Sequence, residues 1–185
     1  EVPEGLKEEK WIPLFVKDTG GAYLRVSAES HMSRLNLPQE DNQKWGVSRE
    51  HKSGVNSLPQ MLQEAWYALW AGFSYSGSEK VGESQFYLCK NMNEEFSLKS
   101  VAEKYHFSEP YFCTLFKKGT GMSVIHFVQH VRIHYGTYLI RSSEKKLQEI
   151  AEEVGFENYS YFGKLFKRYI GQTPEAYRDG SEGKL

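Results

Sequence analysis

Four basic residues stand in two adjacent pairs, Lys117-Lys118 and Lys167-Arg168, fifty positions apart. Ammonium and guanidinium groups placed this way offer attraction to phosphate oxygens, the sequence-independent part of nucleic-acid binding. Ahead of each pair lies a set of mostly short or polar residues. The first holds Ser108, Glu109, Pro110, Cys113 and Thr114; the second holds Asn158, Tyr159, Ser160, Gly163 and Lys164. Side chains of this kind can reach base edges in a groove. A third set, His126, His130 and His134, recurs every four residues. Two histidines one helical turn apart can hold zinc, but no carboxylate stands between the first two to act as a base. These histidines read as a solvated helix face, and no metal site is assigned. Nor is any catalytic residue or cofactor. Gly20-Gly21 lacks the Lys-Ser/Thr of a phosphate loop, and Ser, His and Asp occur without nucleophile-elbow spacing.

The elements that must carry these residues are written twice. Leu98, Val101, Ala102 and Phe107 answer to Leu147, Ile150, Ala151 and Phe156 at an offset of 49. After one extra residue, Tyr111, Phe112, Leu115, Phe116 and Gly121 answer to Tyr161, Phe162, Leu165, Phe166 and Gly171 at an offset of 50. A repeat of this length marks one supersecondary unit used twice. The pattern predicts two helices and a turn in each copy. Ser97 and Ser108 are the expected N-caps in the first copy, Ser143 and Asn158 in the second. The turn falls at His106 and Gly155, where positive φ is often needed and glycine adopts it without strain. Ala102 and Ala151 are small enough to let the paired helices approach, and Phe107 and Phe156 fill the corner. Phe112, Leu115 and Phe116, with Phe162, Leu165 and Phe166, form inward stripes at helical spacing. That leaves Glu109, Pro110, Cys113, Thr114 and Lys117, and Tyr159, Ser160, Gly163, Lys164 and Lys167, facing out. Two exposed helices with basic far ends read as twin DNA-reading heads, with base contacts near their N-terminal halves and phosphate contacts at Lys117, Lys118, Lys167 and Arg168.

Between the copies, Ser123 opens a long linker helix to about Ile140. After the second, Thr173 caps a short last helix beginning with Pro174. The expected fold is therefore mainly α: a tandem helix-turn-helix domain over residues 84–185, preceded by a small α/β segment over 1–83. In that segment Trp11–Val16 reads as a strand, 18–21 as a turn, 22–36 as a helix, 38–42 as a loop, 44–48 as a second strand and 58–73 as a helix. Ser74–Ser84, rich in Ser and Gly, reads as a linker, and Gln85–Met92 as an apolar-faced helix.

Charge supports this division. Residues 1–85 hold 9 Lys/Arg against 12 Asp/Glu, whereas 86–185 hold 14 against 12, so the basic surplus lies with the repeat. Two cysteines, Cys89 and Cys113, make no disulfide framework and fit a reducing cytoplasm. No apolar run reaches the length of a membrane span. The chain opens at Glu1 without Met, as expected of a piece of a longer polypeptide.

Residues 86–180 resemble the DNA-binding domain of the AraC/XylS family of bacterial transcription regulators. The first copy carries Ala102, Phe107, Tyr111-Phe112, Leu115-Phe116-Lys117-Lys118 and Gly121. The second carries Ala151-Glu152, Gly155-Phe156, Tyr161-Phe162, Phe166-Lys167, Gly171, Thr173-Pro174 and Tyr177-Arg178. Arg132-Ile133 and Leu139-Ile140 match the family's linker helix, while Gly136 stands where the family usually has Ala. Thr114 stands where relatives often have a longer polar residue. Residues Val47-Ser48, Leu58, Glu64-Ala65 and Ala68-Leu69 are similar to the stretch preceding this domain in YesN-like response regulators, the end of a degenerate cyclase-like α/β domain. The resemblance implies a sequence-specific, non-enzymatic regulator whose partners are double-stranded DNA and RNA polymerase, the output end of a two-component system. Alternatives are a ligand-responsive regulator without a receiver domain, and a helical module that forms a homodimer through the helix bearing Trp66 and Trp70.

Overall fold

The computed structural model describes residues 12–15, 21–24, 48, 58–71, 73, 75, 78–95 and 97–180. The chain divides into two compact units, Glu1–Trp45 and Gly46–Leu185. In the first, strands β1 (Ile12–Phe15) and β2 (Gly21–Leu24) form an antiparallel pair, with Ile12 opposite Leu24 and Phe15 opposite Gly21. The expected strand at 11–16 corresponds to β1; of the expected 18–21 turn, Gly21 opens β2 and 18–20 lie outside the described residues. The helix expected over 22–36 begins instead with the extended residues of β2; its remainder, the loop at 38–42 and the strand residues 44–47 lie outside the described residues.

The second unit contains eight helices among its described residues: α1 (Leu58–Ala71), α2 (Glu79–Lys90), α3 (Leu98–Lys104), α4 (Glu109–Thr120), α5 (Val124–Ser142), α6 (Leu147–Glu153), α7 (Tyr159–Ile170) and α8 (Pro174–Arg178). The boundary expected near residue 83 falls inside α2. The Ser74–Ser84 linker is corrected accordingly, because helix already begins at Glu79, behind an N-cap at Ser78. Val81, Gly82, Ser84, Gln85, Leu88 and Cys89 are all buried there. The small residues that looked like linker sit in tight helix packing, and the Ser84 hydroxyl is satisfied by donating to the Val81 carbonyl at 2.7 Å.

Two cores flank α5. The first joins Ala71, Val81, Leu88, Cys89, Val101, Ala102, Phe112 and Phe116 to Val124, Phe127, Val128 and Val131 of α5. The second joins Ile150, Ala151, Val154, Phe156, Phe162, Leu165 and Phe166 to Ile133, Leu139 and Ile140. At 3.6 residues per turn the apolar stripe of the second half of α5 is rotated by roughly 140° from that of the first. The crossover occurs between Val131 and Ile133. One helix of about 28 Å thus serves as the wall of two cores facing different ways.

Local chemistry sets most helix ends. Ser97 accepts from the Ser100 amide at 3.0 Å, Ser123 from the His126 amide at 3.3 Å and Thr173 from the Ala176 amide at 3.3 Å. The N-cap assigned to Ser143 is corrected. Ser143 closes α5, its hydroxyl donating to the Leu139 carbonyl at 2.7 Å. Helix α6 starts three residues later behind Lys146, whose amide is held by the Glu149 carboxylate at 2.9 Å. No helix among the described residues is long and apolar enough to cross a membrane.

Candidate nucleic-acid interface

Each head begins with a turn whose geometry follows from its sequence. After α3, the Phe107 amide donates to the Ala102 carbonyl at 2.9 Å and the His106 amide to the Glu103 carbonyl at 3.0 Å. After α6, Phe156 donates to Ala151 at 2.8 Å and Gly155 to Glu152 at 2.9 Å. This double bond pattern is the Schellman ending, which requires a left-handed residue followed by an apolar one. His106 has φ +62° and Gly155 has φ +89°. The shared five-residue spacing from Ala to Phe is therefore the signature of the turn itself. His106 bears a left-handed backbone that costs a non-glycine residue about 1–2 kcal/mol.

The turns launch α4 and α7, each of 12 residues and each ended by a left-handed glycine, Gly121 or Gly171. Phe112, Phe116, Phe162 and Phe166 are fully buried, and Leu165 is buried as well. Opposite them, Glu109, Pro110, Thr114, Lys117 and Lys118 are exposed on α4, with Cys113 half-buried. On α7, Ser160, Lys164, Lys167 and Arg168 are exposed, with Tyr159 and Gly163 half-buried. Ser108 and Asn158 occupy the exposed N-cap positions. Asn158 accepts from the Tyr161 amide at 3.0 Å, whereas Ser108 makes no side-chain cap bond. The sequence-derived set is thus gathered on two equivalent helix surfaces.

Some of these side chains already have partners. Thr114 donates its hydroxyl to the Pro110 carbonyl at 3.0 Å. Tyr159 donates to the Glu175 carboxylate of α8; burial and this bond push the phenol up to about 12, and the same bond holds Glu175 below its usual range. Gly163 is different, because a Cβ built there meets nothing within 4 Å. Nothing in the protein's own packing demands glycine at that exposed-face position.

Sequence reasoning missed Tyr111 and Tyr161. They remain 56% and 48% exposed, one residue before each inward Phe. Their duplication was the available signal, but they were read with the repeat pattern and not with the outward set. Tyr161 also accepts a hydrogen bond from Gln129 of α5 at 2.8 Å. Arg132 was quoted only as a linker-helix match. Its guanidinium donates to the carbonyls of Met92 at 2.6 Å, Gly155 at 2.7 Å and Glu94 at 2.9 Å, and lies over the Phe156 ring at 5.6 Å. An open cleft of about 780 Å³ runs beside it, lined by Gln129, Asn158, Ser160, Tyr161 and Lys164 among others.

The histidine series is only partly a solvated face. His126 is exposed, but His130 is half-buried, its Nε2 donating to the Ala71 carbonyl of α1 at 2.5 Å and its ring meeting His134 and Tyr169. Burial lowers its pKa, opposed by the bond to Ala71. Among the described residues no cluster of three or more metal-ligating side chains occurs. Cys89 is buried, which raises its thiol well above the usual value, and Cys113 stands half-exposed on α4.

Comparison with known proteins converges on this arrangement. A family model described as a helix-turn-helix domain matches residues 101–180. The Bacillus subtilis bifunctional transcriptional activator/DNA repair enzyme AdaA is 33% identical over 111 residues, covering 57% of this chain and 53% of AdaA. Across the curated relatives it matches, including the transcriptional activator RhaR of an Enterobacter species, the chain spans about a third to about a half of their length (33% of RhaR). Among solved structures, the C-terminal domain of AraT, a response regulator from Geobacillus stearothermophilus, superposes with a TM-score of 0.54 at 31% identity, covering 58% of this chain and 92% of that one. The C-terminal domain of the two-component response regulator YesN from Fusobacterium nucleatum gives 0.52 at 32% identity, covering 55% and 99%. Two capped turns, two equal outward helices and one shared rod, matched across nearly the whole of these domains, place the chain in the AraC/XylS family of helix-turn-helix transcription regulators.

Proposed function

We propose that the chain binds double-stranded DNA sequence-specifically, with α4 and α7 entering successive major grooves on one face of the duplex. The observation that carries this reading is the pair of 12-residue helices with fully buried phenylalanine stripes and polar outer faces, joined by a single helix. The N-terminal parts of such helices meet base edges. On this reading Ser108, Glu109, Pro110, Cys113 and Thr114 face one half-site. Asn158, Tyr159, Ser160, Gly163 and Lys164 face the other. Lys117, Lys118, Lys167 and Arg168 meet phosphates, and Tyr111 and Tyr161 join them at the helix entrances. Binding is the whole activity: no bond is made or broken. The site of action is the cytoplasm, where DNA and a reduced Cys113 coexist.

The same chain is, in this reading, the output end of a two-component response regulator. The likeness to the AraT and YesN domains at 31% and 32% identity supports that assignment.

Selection from a pool of random duplexes, followed by fluorescence anisotropy on the recovered sequence, tests the DNA reading. Two conserved blocks about one helical turn apart are expected; recovery of no common sequence would overturn it. The regulator assignment is tested separately by reading the gene upstream. An in-frame receiver domain with its phosphoaccepting aspartate is expected, and a different upstream domain would refute it.

A further inference from the structure

The two heads are joined by more than a continuous helix. Arg132 stands at the point where α5 changes from one core to the other, between Val131 and Ile133. Its guanidinium takes three backbone carbonyls at once. Met92 and Glu94 belong to the connection between α2 and α3, so they move with the first head. Gly155 is the turn of the second. A guanidinium donates in one plane, with fixed angles between its N–H groups. Rotation of one head against the other therefore breaks at least one of the three bonds. Each is a charge-assisted hydrogen bond, stronger than a neutral one.

Gly155 carries a second imprint of this contact. A Cβ there would stand 2.8 Å from Arg132 Cζ and 2.9 Å from the Met92 carbonyl. Glycine is needed at that turn both for its left-handed φ and for the approach of the arginine. The matching turn in the first head holds the exposed His106, with the same left-handed backbone but a side chain. The difference between His106 and Gly155 in the repeat is thereby explained. Among the described residues, α5 also meets α7 through single hydrogen bonds, from Gln129 to the exposed Tyr161 and from the half-buried Tyr169 to the His126 carbonyl.

We propose that Arg132 is a positioning residue that locks the first head to the second through the Met92, Glu94 and Gly155 carbonyls, and so fixes the half-site spacing that the chain accepts. The spacing clause rests on the DNA reading above; the lock does not. Two readouts separate them. In the first, nitroxides are placed on the native Cys113 of α4 and on Lys164→Cys of α7, Cys89 being buried and inert to labelling. Pulsed electron-electron resonance then gives the head-to-head distance without DNA. The parent chain should give one narrow distance, and Arg132→Met a broadened distribution. In the second, unlabelled chains bind duplexes carrying the selected half-sites with zero or one inserted base pair. The insertion should weaken the parent on the order of tenfold and Arg132→Met no more than about threefold.

Arg132→Lys keeps the charge but cannot satisfy three divergent carbonyls, so it should behave like Arg132→Met in both measurements. It decides the matter if the Met variant does not melt cooperatively. An unchanged narrow distance in the folded variants would overturn the lock. Broadened distances with an undiminished insertion penalty would overturn the link to spacing. If the distances broaden but neither parent nor variant binds any duplex, the DNA reading and the spacing clause fall while the lock stands.

Discussion

A methyl group on Gly136 would stand 3.2 Å from the ring edge of Phe162. The glycine is the seat on which α7 packs against α5, because Phe162 is fully buried between the helices. With no side chain at Gly136, the Phe162 ring lies directly against the backbone of α5. Gly136→Ala exchanges a gain in helix propensity of about 1 kcal/mol against a tight contact. It should change stability by less than about 1 kcal/mol. Gly136→Leu forces Phe162 out of its site and should destabilise by about 1–3 kcal/mol. Urea unfolding followed by circular dichroism measures both.

Gly163 separates stability from binding. Its Cβ position is open, so Gly163→Ala should stabilise the folded chain by about 0.5–1 kcal/mol. The same variant adds bulk to the proposed DNA-facing surface and should weaken specific binding, with Gly163→Leu weakening it further. Thermal melting and anisotropy titration on the same preparations would check the opposite signs. A variant that gained in both would remove Gly163 from the interface.

Lys164 and Lys167 occupy different places on α7 and should fail differently. Lys164 lines the cleft near the N-terminal half of the helix. Lys164→Ala should cost about 1–3 kcal/mol on the preferred sequence and relax preference there. Lys167→Ala should weaken all duplexes alike and reduce the slope of log K against log salt by about one. Salt titrations on specific and scrambled duplexes distinguish these outcomes. A changed sequence preference with an intact slope for Lys167→Ala would assign it to a base and not to phosphate.

His130 makes the packing of α1 on α5 sensitive to acid. Burial lowers its pKa, while the unfolded chain titrates near the ordinary 6.5. A folded pKa below the unfolded one means that neutral His130 favours the fold. This contribution is fully present above about 6.5 and is lost as pH falls through the folded pKa. His126 and His134 share its helix, and Tyr169 packs on it from α7. The test is a difference between the parent and a variant. His130→Gln keeps a donor for the Ala71 carbonyl and should flatten the fall in urea midpoint between pH 7.5 and 5.5, whereas an equally steep fall would place the sensitivity elsewhere.

Much of the two heads was legible because their determinants are local. The Schellman turns, the caps at Ser97, Ser123, Asn158 and Thr173, and the Phe stripes each follow from residues a few positions apart. The linker reading of Ser74–Ser84 failed because Ser and Gly mark both flexible chain and tight packing, and only the burial of Gly82 and Ser84 distinguishes them. Ser143 misled for a related reason: its hydroxyl can cap a following helix or close a preceding one, and Glu149 decided the start of α6. The Arg132 clamp was beyond pattern reading. Its three acceptors are backbone carbonyls, which carry no residue identity, and lie 40, 38 and 23 positions away in the chain.

Hydroxyl-radical footprinting of the unmodified chain on its selected duplex is the most direct test of twin heads reading one face of DNA. The arrangement of α4 and α7 on one rod predicts two protected stretches per strand, about 10 base pairs apart and on the same side of the helix. A single protected stretch, or two on opposite sides, would contradict it.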